Sequence, residues 1–220
     1  IFKALLFLCA GAIIHAVHTR DMRQMGGLGR HMPVTQITTL IGVLALAGIP
    51  IFNGFWSKHL IVEAHMHAGT YAYVPMWILI VAELLTALYA MRMYFMVFGG
   101  EGVYEHEPHE APVSMTGVLA TLSAAAVVFW AAVNFYSDRL LAGVTTHELE
   151  AVHLGEMVGA TTGNPKTLIL TAVIVVVFFG AWIAWARRGE APANESGMAQ
   201  ALIDTKFGFD AFYGAAVRMI

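Results

Sequence analysis

Cysteine and charge are what this sequence has least of. Cys9 is the only thiol among 220 residues, so the chain forms no internal disulfide and cannot hold an iron–sulfur cluster by itself. It reads as a small apolar residue inside a helix. Charged residues make up 12% of the chain against 58% hydrophobic, and the mean hydropathy is +0.67. A soluble domain carries about a quarter charged residues. Too little polar surface is left here to clothe a globule in water, so the membrane class outranks every soluble one. Net charge is −3 with no basic tail or stripe, which argues against a nucleic-acid partner. No nucleophile–base pairing supports hydrolytic chemistry. Gly99-Gly100-Glu101-Gly102 lacks the strand-to-helix setting and the lysine of a phosphate loop. The opening on Ile1, with Lys3 inside an apolar run, reads as a helix already under way rather than a signal peptide.

What is present is apolar sequence in five segments, at about 2–17, 33–67, 73–98, 115–136 and 167–186. The last two contain no charged residue, and each has roughly the 20 residues needed to cross a hydrocarbon core. Long unbroken stretches satisfy their backbone only as helices, whereas barrel strands are shorter and alternate. The expected fold is therefore all-α and integral to the membrane. Residues 1–186 form a transmembrane bundle, 187–197 a polar linker, and 198–220 the start of an amphipathic helix lying along the membrane or other helices. If the spans alternate, Arg20, Arg23, Arg30, Arg187 and Arg188 fall on one side, against Arg139 and Lys166 on the other. The excess marks the first side as cytoplasmic.

The second segment is interrupted by Gly48-Ile49-Pro50-Ile51-Phe52-Asn53-Gly54. Pro50 has no N–H, so the carbonyl of Leu46 loses its helical donor, and Gly48 and Gly54 add backbone freedom. A helix broken at membrane depth is tolerated only where the freed groups meet protein or water, and transporters build ion sites from such breaks. Lys58, one turn past the break, is thus a candidate proton carrier. The competing reading is that it snorkels to the interface, because a straight helix from Pro33 would put it about 37 Å along. Ionisable residues inside membrane helices are functional candidates by default. Lys3 and Glu83 qualify on that ground, as does Arg92. Glu83 and Arg92 lie nine residues apart on roughly opposite faces of one helix, so each needs a partner elsewhere. His15 and His18 near Arg20 read as solvated interfacial histidines, with a proton-exit step as the sharper alternative. His59 and Glu63, spaced i, i+4, can touch. With His65 and His67 they make only a weak metal pattern. Glu105-His106-Glu107-Pro108-His109-Glu110 reads as a solvated acidic loop.

At several of these residues the sequence resembles a known family. The carriers are Phe2-Lys3-Ala4-Leu5-Leu6-Phe7-Leu8, Asp21-Met22-Arg23-Gln24-Met25-Gly26-Gly27-Leu28, Ala45-Leu46-Ala47-Gly48-Ile49-Pro50 and Gly54-Phe55-Trp56-Ser57-Lys58. Leu85-Thr86-Ala87-Leu88-Tyr89-Ala90-Met91-Arg92-Met93-Tyr94 and Phe207-Gly208-Phe209-Asp210-Ala211-Phe212-Tyr213 follow in order. Together they resemble the C-terminal part of the antiporter-like subunit L, or chain 5, of respiratory NADH–quinone oxidoreductase (complex I). The resemblance is specific to about residue 100 and only topological from there to about 200.

The resemblance implies a discontinuous helix, proton translocation, and no redox cofactor in this chain. NADH, FMN, iron–sulfur clusters and quinone would belong to partner subunits, and the neighbouring antiporter-like subunit would be the nearest partner in the bilayer. Lys3 matches the lysine of a His-x-Phe-Phe-Lys motif, and Lys58 matches the lysine of the second broken helix. One departure stands out. Where the family commonly reads Ser-Lys-Asp-Glu, this chain reads Ser57-Lys58-His59-Leu60. The acids beside the lysine are gone and Glu83 is gained, so Glu83 is expected to reach Lys58 or His59 across helices. The expected proton-transfer residues are Lys3, Lys58, His59, Glu83 and, as a lesser relay, His15. Two other assignments remain open from sequence: a subunit of an Mrp-type cation/proton antiporter or membrane-bound hydrogenase, and a passive membrane scaffold.

Overall fold

A computed structural model describes residues 1–50, 52–58, 61, 73–102, 104, 106–141 and 165–188. The described residues are helical and contain no strand. The helices are α1 (Phe2–Val17), α2 (Pro33–Ala47), α3 (residues 53–58), α4 (Tyr73–Phe98), α5 (Val113–Leu141) and α6 (Pro165–Arg188). Among them Val74–Phe98 is long and apolar enough to cross a membrane. The helix α1 has 16 residues and α2 has 15, or about 22–24 Å each, shorter than a hydrocarbon core of about 30 Å. For α2 the cause is the stop at Gly48. Both α5 and α6 outrun the expected apolar limits: α5 continues past Tyr136 through Asp138 and Arg139, and α6 reaches Arg188 in the first residues of the expected linker. The rest of that linker and the segment 198–220 lie outside the described residues.

Side-chain contacts fix how the helices run. Leu6 of α1 lies over Gly42 of α2, and Cys9 Sγ meets Thr38 Oγ1 at 3.6 Å, so the two helices are antiparallel. Trp182 of α6 stacks on Tyr94 at 6.1 Å and meets Phe95 edge-on at 5.2 Å. Both partners lie near the ends of their helices, so α4 and α6 run parallel. This agrees with alternating spans in which Arg20, Arg23 and Arg30 share a face with the end of α6. The core gathers Leu5, Cys9 and Ala12 of α1 with Val43 and Ala47 of α2, Ala87, Ala90 and Met91 of α4, and Phe178 of α6. Small residues at these contacts let helix axes approach closely, as membrane bundles require. The polarity of the outer surface is reversed from that of a soluble protein: Trp77, Ile78, Val81 and Leu85 of α4 and Val176, Phe179 and Ile183 of α6 are exposed. Large apolar faces of this kind belong against lipid or other membrane helices.

The arginine-bearing face is tied together by its loops. Gly27 N donates to Gly99 O at 2.7 Å, and Gly26 N donates to the Tyr104 hydroxyl at 2.9 Å. That hydroxyl in turn donates to Gly26 O. Burial pushes the Tyr104 phenol above its ordinary range, opposed by the Gly26 hydrogen bond, so it stays protonated and able to donate.

Glu110 corrects the reading of its loop as merely solvated. The helix α2 begins with Pro33 at its first position and has no side-chain cap from Met32. Its free N–H groups are met from 76 residues away: Glu110 Oε2 accepts from Val34 N at 2.8 Å and Thr35 N at 3.3 Å, while Oε1 accepts from Thr35 Oγ1 at 2.6 Å. A carboxylate there satisfies the orphan donors and the positive end of the helix dipole together.

Candidate functional site: an ion pair at a helix break

The site starts from the way α2 stops. Gly48 takes φ 78°, ψ 39°, a left-handed conformation that costs a side-chain-bearing residue about 1–2 kcal/mol. The N–H of Gly48 bonds Ala45 O at 3.2 Å and that of Ile49 bonds Leu44 O at 3.1 Å, which closes the helix end in the usual two-bond manner. The Leu46 carbonyl is left over, because the residue that would serve it in a continuing helix is Pro50. Lys58 Nζ fills the vacancy, donating to Leu46 O at 2.7 Å. The chain has therefore folded back after the break, carrying α3 alongside the end of α2. Gly54 makes that return possible, since a Cβ at this position would collide with the Ala45 carbonyl. The Phe2 ring of α1 lies on the same spot.

The second partner of Lys58 comes from another helix. Its Nζ lies 3.6 Å from Glu83 Oε1 of α4. The Glu83 side chain is 12% exposed and that of Lys58 25%. Gly48 lies beside both head groups. A cavity of about 160 Å³ borders the pair, lined by Lys58, Ile61, Leu79, Ala82, Glu83 and Thr86. It has room for several waters, with Lys58 and Glu83 as polar partners for them.

The depth of the pair follows from helix geometry. Leu46 is the fourteenth residue of α2, about 20 Å from its start. Glu83 is about 15 Å from one end of α4 and about 22 Å from the other. Both measures put the pair near the middle of the bundle. The straight-helix distance for Lys58 does not apply, because the chain reverses after Gly48.

The other expected residues divide. Lys3, at the start of α1, is exposed. The antiparallel packing of α1 on α2 brings the Lys3 end of α1 to the level of the break. His15 is exposed and pairs edge-on with His18 at 6.3 Å. It lies about 18 Å along α1 from Lys3, so the fold does not bring it to the site. His59, Glu63, His65 and His67 lie outside the described residues. Two features escape sequence reasoning: the use of the Leu46 carbonyl by Lys58, and the Glu110 cap. The first needs the return path of α3. The second had one signal, a helix opening on Met32-Pro33 with no capping residue of its own.

Chemically, an ammonium held by a carbonyl and a carboxylate, beside a small cavity, can gain and lose a proton. Residues 1–97 match the family described as NADH:quinone oxidoreductase/Mrp antiporter, transmembrane. Residues 1–97 thus carry a segment of this family of membrane subunits. The chain is 33% identical over 250 residues to NADH-quinone oxidoreductase subunit L of Neisseria meningitidis serogroup A, covering 96% of this chain and 36% of the relative. It is 38% identical over 200 residues to the subunit of the same name from Mycobacterium tuberculosis, covering 87% and 30%. It is 37% identical over 199 residues to F(420)H(2) dehydrogenase subunit L of Methanosarcina mazei, covering 84% and 30%. The chain thus spans about a third of the length of the curated relatives it matches.

Proposed function

We propose that this chain supplies part of a proton path through the membrane portion of an NADH–quinone oxidoreductase, coupled to electron transfer in other subunits. The observation that carries the reading is the placement of Lys58 Nζ, 2.7 Å from the Leu46 carbonyl and 3.6 Å from Glu83. The segment from Pro33 through α3 acts as one discontinuous membrane helix whose freed carbonyl holds the carrier. Protonated Lys58 donates to Leu46 O and is balanced by Glu83. When a proton arrives on Glu83 or a positive charge approaches from Lys3, the ammonium loses its balance and releases its own proton to water in the adjoining cavity. Reprotonation from the opposite side resets the pair. Glu83 takes over the role of the carboxylates missing after Lys58. His59 adjoins the carrier in sequence, and His15 serves a lesser relay near the loop face.

NADH, FMN, iron–sulfur clusters and quinone reside in partner subunits on this reading, and the neighbouring antiporter-like subunit is the nearest partner. The membrane is the bacterial plasma membrane, or the inner mitochondrial membrane in a eukaryote. The relatives' names differ in electron donor, NADH or F(420)H(2). On this reading the donor is oxidised in other subunits, so the proposed role of this chain does not depend on it. The antiporter alternative draws on the family description, which also covers Mrp antiporters.

Lys58→Met in the intact complex tests the proposal. Quinone-reducing vesicles carrying the variant are expected to lose proton uptake driven through this subunit. Normal assembly with unchanged uptake per quinone reduced favours a passive scaffold instead.

A further inference from the structure

We propose that the cavity between α1, α4 and the α1–α2 loop is a binding slot for one acyl chain of an anionic phospholipid, with its phosphate on Arg20. The slot is independent of the Lys58 site. Its volume is about 220 Å³. It follows α1 from Leu6 to Ile14, about 12 Å, and its walls include Ala10, Ile13, Met93, Val97 and Phe98. Two of the polar groups that border it, Thr39 and Cys9, are already engaged. Thr39 Oγ1 donates to Thr35 O at 2.7 Å, and Cys9 Sγ meets Thr38 Oγ1. Water entering would find apolar walls and few free partners, and such cavities stay dry or take an apolar guest.

The dimensions select the guest. A slot of this length and volume takes a single unbranched chain. The mouth selects the head group. Arg20 lines it from the loop face, is exposed, and makes no ion pair among the described residues. A guanidinium at the membrane surface binds phosphate in a forked geometry. A quinone tail would suit the walls, but its neutral head would leave Arg20 without a counter-charge.

The intact complex, delipidated in mild detergent and re-exposed to phosphatidylglycerol or phosphatidylcholine, is examined by native mass spectrometry. The wild type is expected to retain phosphatidylglycerol in preference to phosphatidylcholine. Ile13→Trp, which fills the slot, and Arg20→Gln, an exposed change that spares the packing, are each expected to lose about one retained phosphatidylglycerol per complex. Unchanged retention in Arg20→Gln overturns the head-group assignment. Equal retention of phosphatidylcholine, or recovery of quinone in place of lipid, overturns the ligand class. If Ile13→Trp fails to assemble, density from the wild-type complex in nanodiscs decides: an elongated feature ending at Arg20 supports the slot, and a protein side chain filling it overturns it.

Discussion

Glu83→Gln is the most informative single change, because it removes a charge while keeping the shape of the side chain. At 3.6 Å and an effective dielectric of about 20, the attraction between Lys58 and Glu83 is about 4.6 kcal/mol. Water reaches Lys58, whose side chain is 25% exposed, and screening brings the useful part to roughly 2–4 kcal/mol. The variant loses most of that, and Lys58 keeps only the Leu46 carbonyl. A loss of about 2–4 kcal/mol corresponds to roughly 30-fold to nearly 1000-fold in an equilibrium, so a proton path through this pair slows by at least tenfold. The assay is acidification of sealed vesicles, read with a pH-sensitive dye while quinone reduction is followed in parallel. Protons moved per quinone reduced should fall. A double-mutant cycle with Lys58→Met then separates pairing from general damage: coupled residues give a double variant no worse than Lys58→Met alone. Wild-type pumping in Glu83→Gln, or strictly additive losses in the cycle, refutes the partnership.

Other expectations concern how the site is built. Gly54→Ala drives a methyl group into the Ala45 carbonyl and should cost about 1–3 kcal/mol, visible as less assembled complex on native gels. Gly48→Ala keeps the space but strains a backbone at φ 78°, at about 1–2 kcal/mol. It should lower the thermal midpoint while leaving the subunit in place. Glu110→Ala strips the remote cap from α2 and should cost about 0.5–2 kcal/mol, read as a lower unfolding midpoint in detergent. Tyr104→Phe removes both hydrogen bonds to Gly26 and should loosen the loop face by about 1–3 kcal/mol, measurable as faster hydrogen exchange at residues 26–27.

Helical character and the stop of α2 before Pro50 were legible because they depend on local chemistry: apolar runs without charges, and a proline whose missing N–H frees one identifiable carbonyl. Sequence reasoning named that carbonyl, Leu46, and named Glu83 as an acid in need of a base. It could not say that Lys58 would serve the carbonyl. That depends on the return of α3 along α2, which Gly54 permits by a contact nine residues away in sequence. The depth of Lys58 stayed open for the same reason, because a straight-helix distance from Pro33 does not allow for the reversal. The uncapped start of α2 was visible, but Glu110 was not identifiable as its cap, because capping across 76 residues leaves no local pattern at the acid itself. The ends of α5 and α6 ran past the apolar limits because a helix can continue into polar sequence once its backbone bonds are in place.

A structure of the intact complex in a lipid bilayer, at a resolution that shows ordered water, tests the central claim most directly. The account predicts the Lys58 ammonium near mid-bilayer, within hydrogen-bonding distance of the Leu46 carbonyl and beside Glu83, with water in the adjoining cavity. Lys58 extended into the head-group layer, with Glu83 turned to lipid and no water between them, would contradict it.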